Sequence, residues 1–307
     1  MSPSASLARR FLHVNLNCAS LASTELLYCT QLGLLERMRT DPSVMIDGSI
    51  LGLDRGTYCT TAFLYDALGA RRGCALETIE YRIPALEYDH ERDPARPGIR
   101  SLLLMVSDPT VAAARLTDRG FAVGEPGEGL ISNAESVLVT DPDGVVIELS
   151  QARGQPCAVF AGIRIAAIDA AATGKFLCSI GFEQTEEITA VPVTGYRLDP
   201  GAEQRSTQCL LARYALPEDA HQFSVVVVQH PDTVGREPVP WGGNRQGLYR
   251  CALRVDSVDD ALAALPGSVQ ACGDPVWCPL PVRRSTDSRS HSCARPTVWC
   301  SNSSSAP

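Results

Sequence analysis

One carboxylate stands alone in an otherwise apolar stretch of this chain. Glu148 lies within residues 145–149, a run of branched aliphatic side chains that is typical of a β-strand. The segment 141–144, Asp-Pro-Asp-Gly, comes directly before it and predicts a tight hairpin reversal. An acid within such a strand either alternates to solvent or is directed into a site, and the sequence leaves both open.

A second candidate group lies near the start of the chain. In residues 10–18, Leu12, Val14 and Leu16 alternate with His13 and Asn15, which predicts a half-buried strand with one polar face. A histidine on such a face is able to bind a metal or to transfer a proton at neutral pH. It is otherwise an ordinary hydrogen-bonded histidine.

Three motifs together resemble those of the vicinal oxygen chelate superfamily, the glyoxalase, bleomycin-resistance and extradiol-dioxygenase group. They are His-Val-Asn-Leu-Asn from His13, Leu-Tyr-Cys-Thr-Gln-Leu-Gly-Leu from Leu27, and Asp-Pro-Asp-Gly-Val-Val-Ile-Glu-Leu from Asp141. The resemblance covers residues 11–150 well and the rest more weakly. It implies an α+β fold of paired βαβββ units, whose mixed sheets form concave cups around a small-molecule site.

The resemblance also implies a ligand set. In metal-dependent relatives the ligands come from the first and last strands of each unit, and the matching residues here are His13, Glu77, Ser101 and Glu148. We therefore expect His13, Glu77 and Glu148 as metal ligands, Glu77 and Glu148 as catalytic groups, and convergence of all four in one concavity. One divalent Fe, Mn, Ni, Zn or Mg ion suits such donors. Ser101, a poor ligand where a second histidine is usual, weakens the metal interpretation.

Other residues are expected to contact a small-molecule ligand. Ser101, Arg100, Phe63 and Tyr65 are the candidates, and Tyr28 and Tyr58 are further aromatic residues that serve equally well as core. In the second half, the positions matching the ligand set are Ile163, Val226 and Arg250, so we expect no metal there.

Composition restricts the class of protein. The net charge of −8, without a basic stripe, argues against nucleic-acid binding. The chain contains no run of 18 apolar residues, so the sequence does not predict a membrane span. The N-terminal residues lack the long apolar segment of a signal peptide. Twelve cysteines without a Cys-x-x-Cys pair favour buried free thiols in a cytoplasmic protein. We expect a monomer or a homodimer.

The strand and helix pattern repeats along the chain. Two βαβββ patterns fill residues 1–153, which we interpret as module 1, and a similar series fills residues 157–282, an incomplete module 2. Serine and arginine dominate residues 283–307, where the final hairpin of the fourth unit is expected, so we predict an unpacked tail.

The tail has an alternative reading. If the tail is back-translated into GC-rich codons, the resulting nucleotide sequence also has a reading frame shifted by two bases. That frame encodes Ser-Pro-Asp-Gly-Val-Val-Leu-Glu-Leu, which closely repeats the segment 141–149. Our hypothesis is a frameshift near Pro281, which would leave module 1 to carry whatever activity remains.

Three functions remain open at this point. The first is lyase or isomerase chemistry of the glyoxalase kind, in which a metal polarises a carbonyl and Glu77 or Glu148 moves the proton. The second is metal-free binding of a small molecule, as in drug-sequestering relatives. The third is a catalytically inactive interaction protein. A ring-cleaving dioxygenase is a further alternative, which the missing ligands of module 2 disfavour. Family resemblance alone does not choose among these functions.

Overall fold

The structure is a computed structural model. It describes residues 7–40, 42–54, 56–88, 93–152, 158–219, 222–237, 242–265, 267 and 298–300. Within this part of the chain, no helix is long and apolar enough to cross a membrane.

Two mixed sheets make up most of the fold. Sheet 1 has the strand order β15-β14-β1-β4-β3-β2, and its strands are β1 (Arg10–Asn17), β2 (Leu35–Arg39), β3 (Tyr58–Tyr65), β4 (Ala75–Ile83), β14 (Gly247–Arg254) and β15 (Val298–Cys300). Sheet 2 has the order β11-β12-β13-β10-β5-β9-β8-β6, with β7 paired to β8. Its strands are β5 (Gly98–Val106), β6 (Ala122–Val123), β7 (Gly127–Glu128), β8 (Glu135–Thr140), β9 (Val146–Gln151), β10 (Val159–Ala166), β11 (Glu183–Thr194), β12 (Ser206–Ala215) and β13 (Ser224–Gln229).

One βαβββ unit recurs along the chain, as the sequence predicts. In the first three units the first strand pairs in parallel with the last one, β1 with β4, β5 with β9 and β10 with β13. The helices are α1 (Leu21–Glu25), which continues as a π-helix over Leu26–Gln31, α2 (Pro109–Asp118), α3 (Ala170–Ser179) and α4 (Val258–Ala263). The predicted fold class, α+β with mixed sheets of paired βαβββ units, is confirmed.

The units pair across the two predicted modules. Strand β14 of the fourth unit pairs antiparallel with β1 of the first, and β10 of the third unit pairs antiparallel with β5 of the second. Each sheet therefore combines one unit from residues 1–153 with one from the second half. The module boundary near residues 153–157 lies outside the described residues and stays a prediction.

The helices begin and end where the sequence supplies caps. Asp108 and Asp169 accept hydrogen bonds from the backbone at the starts of α2 and α3, and Gly120 follows α2 with a φ of +83°. The predicted turn at 141–144 forms as well, because Asp141 accepts hydrogen bonds from the N–H groups of Asp143 and Val145.

The sheets share one apolar core. Buried residues on one face of each sheet form a single cluster that includes Val14, Leu16, Leu76, Leu102, Ile147, Ile163 and Val225. The opposite face of each sheet carries the polar groups. We call these the polar face of sheet 1, with His13, Asn15 and Glu77, and the polar face of sheet 2, with Ser101, Glu148 and Arg164.

Some elements differ from the sequence predictions. The sequence also predicts a short strand near residues 45–51, but the structure has a 3₁₀ turn there, Gly48–Leu51, with one isolated bridge between Ile46 and Thr57. Strands β2 and β11 were not predicted, because both are edge strands whose side chains are largely exposed and show no apolar alternation.

Part of the C-terminal segment is described. Val298–Cys300 pairs antiparallel with β14, which contradicts an unpacked tail over these three residues. The residues 283–297 and 301–307, and the proposed frameshift position at Pro281, lie outside the described residues. Strand β14 is the first strand of the fourth unit, and its neighbour on this side is antiparallel. In the other three units, the first strand has the parallel last strand of its own unit at this position.

Candidate functional site

The polar face of sheet 1 is built from alternate residues of four strands. Strand β1 contributes His13 and Asn15, β4 contributes Glu77, β3 contributes Phe63, and β14 contributes Arg250. The rings of His13 and Phe63 meet edge to face with their centroids 5.3 Å apart. These residues are buried, although four of the five carry polar or ionisable groups.

His13, Glu77 and Arg250 form a buried charged cluster. The His13 Nδ1 atom lies 3.1 Å from Glu77 Oε2, and Arg250 Nη2 lies 3.7 Å from the same oxygen. Burial alone would raise the pKa of Glu77, but the His13 imidazole and then the Arg250 guanidinium together lower it below its ordinary value. Glu77 is therefore held as a carboxylate.

Two buried polar atoms on this face, Asn15 Oδ1 and Asn17 Oδ1, have no hydrogen-bond partner in the described part of the chain. The Tyr81 hydroxyl nearby is hydrogen-bonded with Arg250. Burial raises the pKa of Tyr81, so it remains a neutral phenol. Buried polar groups in native proteins are nearly always paired with protein, water or ligand. The two unpaired asparagine oxygens therefore make this face the candidate binding site.

Loops of both units cover this face. Leu51 of the 3₁₀ turn packs with Cys59, Ile79 and Tyr81 in a small apolar cluster. Gly243 of the fourth unit approaches Leu51 so closely that a Cβ at residue 243 would lie 1.5 Å from the Leu51 carbonyl oxygen. Only glycine fits there, so the first and fourth units close the site together.

The polar face of sheet 2 is filled by the protein itself. Glu148 accepts hydrogen bonds from the N–H groups of Ile131 and Ser132 at 2.9 and 2.8 Å. Arg213 donates to the carbonyl oxygens of Ile131 and Leu130 at 2.6 and 2.8 Å. The Leu130 and Ile131 side chains pack into an apolar cluster with Leu103, Val193, Leu198, Cys209, Leu211, Val226 and Val228. Glu148 thus holds a turn in place.

A buried arginine that the sequence analysis did not single out lies at the centre of this second face. Arg164 donates to Ser101 Oγ at 3.1 Å and to the carbonyl oxygens of Pro94 and Leu198. Burial lowers its pKa to about 10, and the like charge of Arg100 adds to this effect. Its signal was a lone basic residue between Ile163 and Ile165 in an apolar strand.

The predicted site residues fall into two groups. The structure brings His13 together with Glu77 and Phe63, and it places Ser101 and Glu148 in the other sheet. Contrary to expectation, the four residues matching the ligand set do not share one concavity, because the units pair across the modules. Arg164, not Ile163, occupies the polar face in β10, whereas Ile163 lies in the shared core.

The remaining candidates have other surroundings. Tyr65 is half-buried at the end of β3, and Arg100 donates to the Asp93 carbonyl oxygen at 3.4 Å. Tyr28 is fully buried and donates to Asp141 Oδ2 at 3.0 Å, so it supports the 141–144 turn. The roles predicted for these residues in binding or catalysis stay predictions.

The donor set fits a metal ion poorly. Among the described residues, no three His, Cys, Asp or Glu side chains lie close enough together to hold one. His13 and Glu77 could supply two donors, but the Arg250 guanidinium lies beside the same Glu77 oxygen. A fixed buried cation repels a divalent cation strongly where water does not screen it. The expected metal site of residues 1–153 therefore does not fit this geometry.

Comparison with known proteins identifies similar structures but no sequence relatives. No family model matches the chain, and no curated protein matches it. The crystal structure of glyoxalase I from Zea mays aligns with a TM-score of 0.60 at 17% identity, over 84% of this chain and 78% of that one. A putative dioxygenase from Bacillus subtilis subsp. subtilis str. 168 aligns with a TM-score of 0.53 at 14% identity, over 84% and 74%. At such identities the likeness concerns the fold alone.

Proposed function

We propose that this chain, which has the fold of the vicinal oxygen chelate superfamily, binds a small organic molecule on the polar face of sheet 1 without a metal ion. The observation that carries the proposal is the pair of buried oxygens there, Asn15 Oδ1 and Asn17 Oδ1, which have no hydrogen-bond partner among the described residues. A ligand that pairs with them would recover the free energy that each unpaired group costs, about 1–3 kcal/mol.

The two polar faces support different roles. Glu148 and Arg164, at the centre of sheet 2, have protein partners, and Leu130 and Ile131 occupy the space in front of them. A ligand there would have to displace a turn that hydrogen bonds hold on both sides. Glu77 in sheet 1 instead lies beside two side chains, His13 and Arg250.

A second candidate function, proton transfer in a lyase or isomerase, is favoured by the His13–Glu77 pair. Nδ1 of His13 lies 3.1 Å from Glu77 Oε2, an arrangement in which a carboxylate orients an imidazole that acts as a base. Such chemistry would use His13 as the base and Glu77 as its positioning residue. The ring-cleaving alternative is less well supported, because it needs a metal that the donor set fits poorly.

A fragment screen by thermal shift tests the binding proposal. We expect small polar aromatic fragments to raise the melting temperature of the wild-type protein, and Asn15→Leu and Tyr81→Phe to weaken that shift. Tyr214→Phe, a buried tyrosine in sheet 2, is the matched control and should keep the shift. Fragment binding that survives both sheet 1 substitutions would contradict the proposal.

A further inference from the structure

We propose that residues 242–247, which we call the strap, form a gate over the polar face of sheet 1, and that a ligand reaches this face only when the strap detaches from the first half of the chain. This inference rests on the proposed function, because it assigns the entry route of the same site. It makes access to the site depend on a segment of the fourth unit.

The polar face of sheet 1 is covered in the structure. His13 and Glu77 are 7% and 4% exposed, and Asn15 and Asn17 are fully buried. A small molecule is able to contact groups this deeply buried only after a covering segment has moved. The question is therefore which part of the cover opens most easily.

Hydrogen bonds fasten the strap to the first half of the chain. The Asn17 Nδ2 atom, at the end of β1, donates to two strap carbonyl oxygens at 2.7 and 2.6 Å. Asn244 Nδ2 donates to the Ala85 carbonyl oxygen at 2.6 Å. Glu87 donates its N–H to the Asn244 carbonyl oxygen at 2.8 Å and accepts the N–H of Gln246 at 2.9 Å. The strap thus lies between β1 and the segment that follows β4.

The composition of the strap distinguishes it from the cover of the other sheet. Its sequence is Gly-Gly-Asn-Arg-Gln-Gly, without an apolar side chain, so burial of apolar surface contributes little to its closed position. The polar face of sheet 2 is instead covered by Leu130 and Ile131, which pack into an apolar cluster. Segments with few buried apolar contacts open at the lowest free-energy cost. The strap is therefore the part of the cover that we expect to move.

One contact fixes how the strap closes. Gly243 packs against the Leu51 carbonyl oxygen, and Leu51 is held by Cys59, Ile79 and Tyr81. A Cβ at residue 243 would lie 1.5 Å from that oxygen, whereas a Cβ at residue 242 would meet nothing within 4 Å. Alanine at residue 243 should therefore push the strap away from Leu51, and alanine at the preceding residue should not.

Hydrogen exchange tests whether the strap opens while the rest of the protein stays folded. The N–H of Gln246, bonded to Glu87, should exchange about tenfold faster than the N–H groups of Ile131 and Ser132, which Glu148 holds, after correction for intrinsic rates. Exchange of the Gln246 N–H only as fast as that of the central residues of β1 would overturn the inference, because the strap would then open only on unfolding.

Chemical modification of His13 tests whether the strap controls access. Diethyl pyrocarbonate acylates accessible imidazoles, and peptide mass spectrometry separates His13 from the other four histidines. Gly243→Ala should raise the rate of His13 modification about tenfold, and Gly242→Ala, the matched control, should leave it unchanged. If Gly243→Ala folds poorly, Asn244→Ala, which removes the bond to the Ala85 carbonyl oxygen, should raise the rate in the same direction.

The outcomes separate this inference from the proposed function. Fragment binding to the wild-type protein, with equal rates of His13 modification in the wild type and all three variants, would overturn the gate and leave the binding proposal intact. Strap-dependent modification of His13 in a protein that binds no fragment would support the gate and count against the binding proposal.

Discussion

His13 and Glu77 meet diagonally across two parallel strands, with Nδ1 and Oε2 3.1 Å apart. His13 is directly opposite Ala75 in the register, and Glu77 is opposite Asn15, so the imidazole reaches along the strand to the carboxylate. The pair is buried on both sides and shares its carboxylate with Arg250. Its loss therefore leaves a buried cation unbalanced.

Glu77→Gln should destabilise the protein by about 3 kcal/mol, because removing one member of a buried charged cluster leaves the others uncompensated. Urea unfolding followed by circular dichroism measures this change. Glu36→Gln, which disrupts a partly exposed pair with Arg39, is the control and should cost less than about 1 kcal/mol. If the two substitutions lower the unfolding free energy equally, the buried charged cluster does not contribute more to stability than an exposed ion pair.

Glu148 should behave as a structural residue. Glu148→Gln should cost about 2 kcal/mol of unfolding free energy, since a glutamine amide cannot accept both N–H groups of Ile131 and Ser132. Gly129→Ala should act similarly, because a Cβ there would lie 2.0 Å from Glu148 Oε1. Fragment binding at sheet 1 should be unchanged in both variants. A binding defect in Glu148→Gln with normal stability would instead assign this carboxylate to a ligand site.

Asp141 should make stability depend on pH. Burial and then repulsion from Asp143 raise its pKa from 3.8 to about 7, so between these values the folded state binds more protons than the unfolded state. The contribution of Asp141 is fully present below pH 3.8 and is lost as the pH rises through about 7. Asp219, whose pKa burial raises to about 6, adds a loss of the same sign.

Asp141→Asn should reduce this dependence while keeping the turn. The unfolding free energy of the variant should fall less steeply between pH 4 and 7 than that of the wild type, as followed by urea unfolding at each pH. Asp141→Ala should cost about 3 kcal/mol, because Tyr28, Asp143 and Val145 each lose a hydrogen-bond acceptor. If Asp141→Asn keeps the full pH dependence of the wild-type unfolding free energy, the Asp141 carboxyl is not the source of that dependence.

The C-terminal reading frame also gives a prediction. A chain carrying the shifted reading after Pro281 should melt higher and aggregate less, because its final strand would give β14 the parallel neighbour that β4, β9 and β13 give the other first strands. This strand would belong to sheet 1, which also contains the first unit. The expectation that residues 1–153 carry activity independently of the C-terminus therefore needs revision. A frame confirmed as given, together with equal melting temperatures, would argue against the frameshift.

The repeated unit and its landmark residues were predictable from the sequence. Alternation at His13 and Asn15, the caps at Asp108 and Asp169, and the Asp141 turn are local signals, and the predicted α+β fold of paired βαβββ units is confirmed. The pairing of β14 with β1 joins strands that are far apart in the sequence. It could not be predicted, because strands of different units present similar edges. Arg250 therefore could not be assigned to the His13 site before the sheet order was known.

The most direct test of the account is the metal content of the purified protein together with its response to added metal. We expect much less than one equivalent of any divalent metal by mass spectrometry, and an unchanged melting temperature with Mn²⁺, Ni²⁺ or Zn²⁺, because Arg250 lies beside the Glu77 carboxylate. One equivalent of bound metal that disappears in His13→Ala, with a melting temperature that falls on chelation, would contradict a metal-free site.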